Sequence, residues 1–370
     1  MHRISIFLLI TLLLVACGSP TAAPPSPPAQ APGAEVDAPS PPAQADRLVV
    51  MSHDSFSLSQ EVLATFEAET GARVEFLRMG DTGSALNQAI LSRDAPLADV
   101  FFGIDNTFLS RALEADIFVP YAAPALAEIP AELQLDPEQR LLPVDFGYVL
   151  INYDRAALEA RGRTPPTSLE DLMLNEWRGQ LVVQNPATSS PGLAFLLATI
   201  AYFGEDGEYS WQDFWRALRK NEVAVSQGWS EAYYTQFSGS SGEGPYPLVV
   251  SYSTSPAAEV FFSDEALDEP PTGNLIIPGG VFRQIEFVGI LRGTQNEELA
   301  QRFVDFMLGP TFQADIPLQM FVYPANPTTP LPDVFTRFAE VPAQPTILSP
   351  EEIEQNRERW IEEWLDVVLR

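Results

Sequence analysis

Leu48-Val49-Val50-Met51, Val74-Glu75-Phe76-Leu77 and Asp99-Val100-Phe101-Phe102-Gly103 are three short apolar runs separated by two helical patterns. The first gap places Val62, Leu63 and Phe66 on one helical face and ends at Gly71; the second holds Leu86 to Leu91. Runs of four or five residues have the length of buried strands, and the spacing between them is that of helices. Strand, helix, strand, helix, strand predicts a parallel sheet with helices on its faces.

Downstream, Asp145 to Tyr153 reads as a strand long enough to pass from one domain to another. Leu181-Val182-Val183, a helix from Pro191 to about Tyr202, and Leu248-Val249-Val250 make a second strand-and-helix set. Gln284 to Leu291 then reads as a strand returning to the first domain. A helix with Leu299, Phe303 and Phe306 follows, closed by Gly309-Pro310. The last helix begins at Ser349-Pro350, and its Trp360, Trp364 and Val368, at helical spacing, read as core. A chain of 370 residues with 23 phenylalanines can fill the cores of two domains.

Upstream, Arg3 precedes an apolar run from Ile4 to Val15 that ends in Ala16-Cys17-Gly18. This is the layout of a secretory signal, with an apolar stretch too short to span a bilayer. It resembles a bacterial lipoprotein signal in which Cys17 becomes the lipid-bearing first residue. Residues 19 to 46 are mainly Pro, Ala and Ser, unable to bury enough surface to fold and biased to extended polyproline. They read as a tether. Cys17 is the only cysteine, so the body has neither disulfides nor a thiol nucleophile. The net charge of −29 excludes nucleic acid as a partner and favours a cationic ligand.

Three loops carry candidate chemistry. Thr188-Ser189-Ser190-Pro191-Gly192 and Ser253-Thr254-Ser255-Pro256-Ala257 put hydroxyls at a helix start with proline as the first helical residue; Asp81-Thr82-Gly83-Ser84 opens a third helix. Each alone reads as ordinary N-capping. Together, with no Lys or Arg among them, they offer neutral donors to an anion such as phosphate. In Gly228-Trp229-Ser230-Glu231, Ser230 is expected to cap a helix with Glu231 in its first turn. Trp229 and Tyr252 adjoin the hydroxyl-rich loops, and Asp105 ends a strand, where open α/β sheets hold ligands. Aromatic faces beside a carboxylate suit a flat cationic ring.

The runs His53-Asp54-Ser55-Phe56, Gly103-Ile104-Asp105-Asn106, Asp145-Phe146-Gly147-Tyr148, Thr188 to Gly192, Gly228 to Tyr233 and Ser251 to Pro256 stand in the order seen in thiamine-binding periplasmic proteins, which this chain resembles from Leu48 to its last helix. The resemblance implies an α/β, two-lobed type 2 periplasmic binding protein. Each lobe would be a mostly parallel sheet flanked by helices, with the ligand in the cleft between them. Behind the signal over 1–17 and the tether over 18–46, it implies a first lobe over 47–146 and 278–370, and a second over 147–277. Thiamine or its mono- or diphosphate is the implied ligand, no cofactor is needed, and an ABC permease is the implied membrane partner. The protein would be a monomer outside the cytoplasmic membrane.

By the same resemblance, Asp81 and Thr82 contact the ligand beside its phosphate end, and Ser189 and Ser190 match the hydroxyl pair used for thiamine monophosphate. Trp229 and the run Tyr252, Ser253, Thr254, Ser255 and Pro256 match the aromatic wall and phosphate-side turn. His53 stands where the family commonly has tyrosine, and Phe321 where it commonly has tryptophan. Phenylalanine has the weaker quadrupole, and a protonated His53 would repel a thiazolium.

Other functions leave weaker marks. A thiaminase-like enzyme would need a cysteine in the body, and a serine hydrolase would need a Gly-x-Ser-x-Gly elbow, which the chain lacks. With His53 the one histidine left after signal cleavage, a metal site would depend on carboxylates and tyrosines. The adjacent Tyr233-Tyr234 keeps ferric ion open as a cargo, and the acidity keeps polyamines open.

Overall fold

The computed structural model describes residues 46–239 and 243–370. The expected signal, Cys17 and the tether up to residue 45 lie outside the described residues. Eleven strands form one sheet: β1 Arg47–Ser52, β2 Arg73–Arg78, β3 Val100–Asp105, β4 Phe118–Val119, β5 Leu142–Asp154, β6 Leu181–Gln184, β7 Ala224–Ser226, β8 Leu248–Tyr252, β9 Thr272–Leu275, β10 Phe282–Leu291 and β11 Tyr323–Pro324. Its main path runs β2-β1-β3-β10-β5-β8-β6-β7.

The parallel sheet expected from the first three strands holds for two triples, β2-β1-β3 and β8-β6-β7. Between them lie β10 and β5, antiparallel to each other and to the triples they adjoin. The sheet is therefore mixed. Long strands do this because each belongs to both sides: β5 pairs with β10 over its first half and with β8 and β9 from Val149 onward. The expected boundary at 146/147 falls inside β5, and that at 277/278 just before β10.

Helices cover the sheet as their apolar faces dictate. Helix Ser190–Phe203 is apolar all round and buried from Ser190 to Ile200, as a central helix must be. Helix Pro350–Val368, capped by Ser349 accepting from Glu352 N–H, buries Trp360, Trp364 and Val368. Trp364 meets Trp215 edge-on at 5.4 Å, so these tryptophans are core, as their spacing predicts. One expected stop differs. Gly309 ends helix Glu297–Leu308, but Pro310 opens the next helix, Pro310–Gln319, where a missing N–H costs nothing.

Both triples point the C-terminal ends of their strands at the same place. β1 leads to His53 and β2 to Asp81; β6 leads to Ser189 and β7 to Trp229, and β8 ends at Tyr252. Gly192 lets the first turn of helix Ser190–Phe203 press on the end of β6, where a Cβ would come within 2.6 Å of the Gln184 carbonyl oxygen. Gly192→Ala is expected to destabilise the protein by about 1–3 kcal/mol, the usual cost of overpacking. Urea unfolding would measure it, and an unchanged midpoint would show that the helix can shift without loss.

Candidate functional site

A cavity of about 540 Å³ opens where these strand ends meet, within the range of small-molecule sites. His53, Asp81, Thr82, Ser190, Trp229, Tyr252, Thr254, Ser255 and Phe321 line it. Ser189, Ser253 and Pro256 sit behind that wall, and so does Asp105, which has no exposed surface. One Asp105 oxygen accepts from the Thr107 N–H and hydroxyl, each at 2.6 Å, so the residue shapes its own turn.

Asp81 does two things at once. One carboxyl oxygen accepts from Thr82 N–H at 2.8 Å at the start of helix Thr82–Leu91. The other accepts from the backbone N–H of Trp229 at 3.0 Å. Loops from the two parallel triples are thereby joined over the cavity. Burial pushes the Asp81 pKa up, and the Ser189 hydroxyl and these two N–H groups draw it back.

The expected capping at Trp229 is corrected. Gly228 is the N-cap, Trp229 is the first helical residue, and the Ser230 hydroxyl instead donates to Asp54 at 3.3 Å. Glu231 does occupy the first turn, where it accepts from Gln227 N–H. A π-helical turn over Ala232–Gln236 follows, a form that recurs at functional sites. It puts two further rings beside the indole: Trp229 stacks on Tyr233 at 5.0 Å and meets Tyr234 at 5.3 Å and Tyr252 at 6.1 Å. Its ring N–H donates to Ser251 at 2.8 Å, and Tyr252 donates to Gln284 at 3.1 Å, so both planes are held.

At the other two helix starts proline is the second helical residue, one later than its expected place, because Ser190 and Ser255 come first. Neither N-cap side chain bonds its own helix. Thr254 donates to the Phe321 carbonyl, Thr82 donates to Gly103 at 2.8 Å, and the Ser190 hydroxyl adjoins Asp105, whose pKa burial raises to about 6 against the pull of Ser190 and Thr107. The two threonine hydroxyls thus serve the protein first. Backbone N–H at the Ser190 helix start and the buried Ser189 and Ser190 hydroxyls, which make no hydrogen bond by geometry, are left for an anion, with Asp81 and Asp105 nearby.

Phe321 adopts φ +52 and packs on Phe261, Phe262 and Phe335, so it reaches the cavity as one edge of an aromatic cluster. His53 is 5% exposed. Its Nδ1 lies 2.9 Å from Ser55 Oγ and its Nε2 3.4 Å from a Glu286 oxygen. Gly103, at φ +99, makes room for it, since a Cβ there would stand 2.4 Å from the imidazole.

Composition and capping motifs do not point to Glu286, Gln284, Glu259, Asp54 and Phe262, which line the cavity together with the Tyr233-Tyr234 pair. Glu286 has a legible signal: a carboxylate inside the otherwise apolar strand Ile285 to Leu291. Tyr233 donates to Glu259 at 2.6 Å, and among the described residues no group of three or more His, Cys, Asp or Glu is placed to hold a metal. Asp54, Asp81, Glu259 and Glu286 face the cavity, and no Lys or Arg lines it.

Residues 95–355 match the family described as bacterial extracellular solute-binding protein. The chain is 32% identical to the thiamine-binding periplasmic protein of Escherichia coli (strain K12), over 87% of this chain and 94% of that one. It is also 32% identical to that of Brucella abortus biovar 1 (strain 9-941), over 88% and 93%. A solved periplasmic thiamin binding protein superposes with a TM-score of 0.77 at 29% identity, covering 88% of this chain and 97% of the other.

Burial, and then the Arg78 charge, lower the His53 pKa to about 4. The imidazole is therefore neutral at pH 7 and does not repel a cation. Its ordinary pKa lies near 6.5, so its contribution to stability is complete above that value and is lost as pH falls towards 4. A ¹⁵N NMR titration is expected to show the His53 ring neutral down to about pH 5. A midpoint near 6.5 would place the ring in contact with water.

Proposed function

We propose that this chain, which belongs to the thiamine-binding periplasmic proteins within the bacterial extracellular solute-binding family, captures thiamine for import. Its family comprises binding proteins of α/β, two-lobed architecture, not enzymes, and works outside the cytoplasm. The observation that carries the cargo is the wall of Trp229, Tyr233, Tyr234 and Tyr252 facing Asp54, Asp81, Glu259 and Glu286, with no Lys or Arg among the described residues that line the cavity. A flat cation fits that surface. A desolvated cation over an aromatic face gains about 2 kcal/mol, against about 0.5–1 when exposed.

The lobes we propose are 47–146 with 278–370, and 147–277, with β5 and β10 as the connections that flex. The cation would favour the closed arrangement by touching both lobes at once. A phosphate at the Ser190 helix start would gain its N–H groups but meet Asp81 and Asp105, so unphosphorylated thiamine is the favoured form. Among the described residues no helix is long and apolar enough to cross a membrane. A lipid on Cys17, a tether of up to about 3.1 Å per residue, and an ABC permease that receives the cargo complete the reading.

Calorimetry on protein unfolded and refolded to strip any ligand tests this reading. Thiamine is expected to bind, and to bind more tightly than its mono- and diphosphate. No heat from all three, with refolded protein, would overturn the assignment. Trp229→Ala is expected to cost about 2–4 kcal/mol of thiamine binding, the scale of an aromatic hot spot. An unchanged affinity would take Trp229 out of the site.

A further inference from the structure

Glu286 on β10 stands directly opposite Asp105 on β3 and directly opposite Asp145 on β5. Three carboxyl-bearing residues therefore occupy one row across three adjacent strands, where like charges oppose pairing. Asp105 and Asp145 have no exposed surface, and Glu286 is 6% exposed and lines the cavity. The charged and titratable groups facing Glu286 are His53 after β1, Asp81 at its helix start, Asp105, Asp145 and the Tyr252 phenol on β8. None is a lysine or arginine; Arg78 acts on His53, and Arg283 on Tyr148.

Asp105 has Thr107 to accept from, whereas Asp145 meets no N–H or hydroxyl donor, and the group that approaches it is the Glu286 carboxyl. Two desolvated carboxyls side by side cannot both ionise, so one keeps a proton for the other to accept. Burial pushes Asp145 up to about 7. Glu286 rises well above the carboxylate range through burial first, then the charges of Asp145 and Asp105.

We propose that Glu286 selects a cationic cargo by exchange, the positive charge of the ligand replacing a proton that Glu286 shares with Asp145. The O–H bond breaks, the proton leaves to the solvent, and the carboxylate left behind faces the ligand cation. No other group is transferred. A neutral ligand of the same shape cannot displace the proton, so the pair discriminates by charge. The inference rests on the proposed thiamine reading for its choice of probe.

Thiamine titrated calorimetrically at pH 7 in buffers of different ionisation enthalpy is expected to show release of about one proton. A neutral thiophene isostere of the thiazolium should release none. Glu286→Gln should abolish the release and weaken thiamine at least tenfold. Asp145→Asn removes the neighbouring charge while burial and Asp105 still act on Glu286, and should reduce the release below that of the native protein. A buffer-independent enthalpy in the native protein, or undiminished release in Glu286→Gln, would overturn the proposal and leave the thiamine reading standing. If thiamine gives no heat, infrared spectroscopy of the ligand-free protein at pH 7 decides the proton separately. A protonated-carboxyl C=O band that disappears in Glu286→Gln supports the shared proton, and its absence from the native protein overturns it.

Discussion

The carboxyl group of Asp81 is the contact on which the site depends. It starts a helix with one oxygen and holds the Trp229 backbone with the other, so residues 148 positions apart become one wall. Hydrogen bonds to a charged acceptor are worth about 1.5–3 kcal/mol each when partly buried, enough to fix the loop that carries the indole. The close approach needs small residues on both sides. A Cβ on Gly228 would come within 3.3 Å of Asp81, and one on Gly83 within 2.9 Å of the Ala187–Thr188 backbone.

The sheet explains why this junction forms a cavity. The two parallel triples run in opposite directions and meet at their C-terminal strand ends, where the last residue of β8 and the turns after β7 carry Tyr252, Trp229, Tyr233 and Tyr234. The antiparallel β5 and β10 between them bring Gln284 and Glu286 to the cavity, with the buried Asp145 opposite Glu286. The strands that join the two parallel triples thus also bring a carboxylate, Glu286, to the cavity.

The hydroxyls show how context redirects a motif. Ser and Thr at a helix start can serve an outside anion or an inside acceptor. Here Thr254 serves the Phe321 carbonyl and Thr82 that of Gly103, while Ser189 and Ser190 adjoin carboxyls. Asp54, Asp81, Glu259 and Glu286 line the cavity, in keeping with the chain's excess of acidic residues.

Much was legible in the chain alone. Periodicity marked the strands and helices, because burial on one face forces a 2.0 or 3.6 repeat. Spacing put Trp360 and Trp364 in the core, and the order of loop motifs carried the family. Local sequence also placed Trp229 and Tyr252 beside hydroxyl-rich loops, Asp81 at a helix start, and Asp105 at a strand end. Only the tertiary structure decided that β5 and β10 run antiparallel, since pairing direction depends on partners far along the chain. It alone put Glu286 between Asp105 and Asp145, and turned Ser230 to Asp54 rather than to its own helix. Local sequence sets which groups a segment can offer. Which partner each group meets is set by register and by loop closure over more than a hundred residues, and no window of sequence contains both ends of that contact.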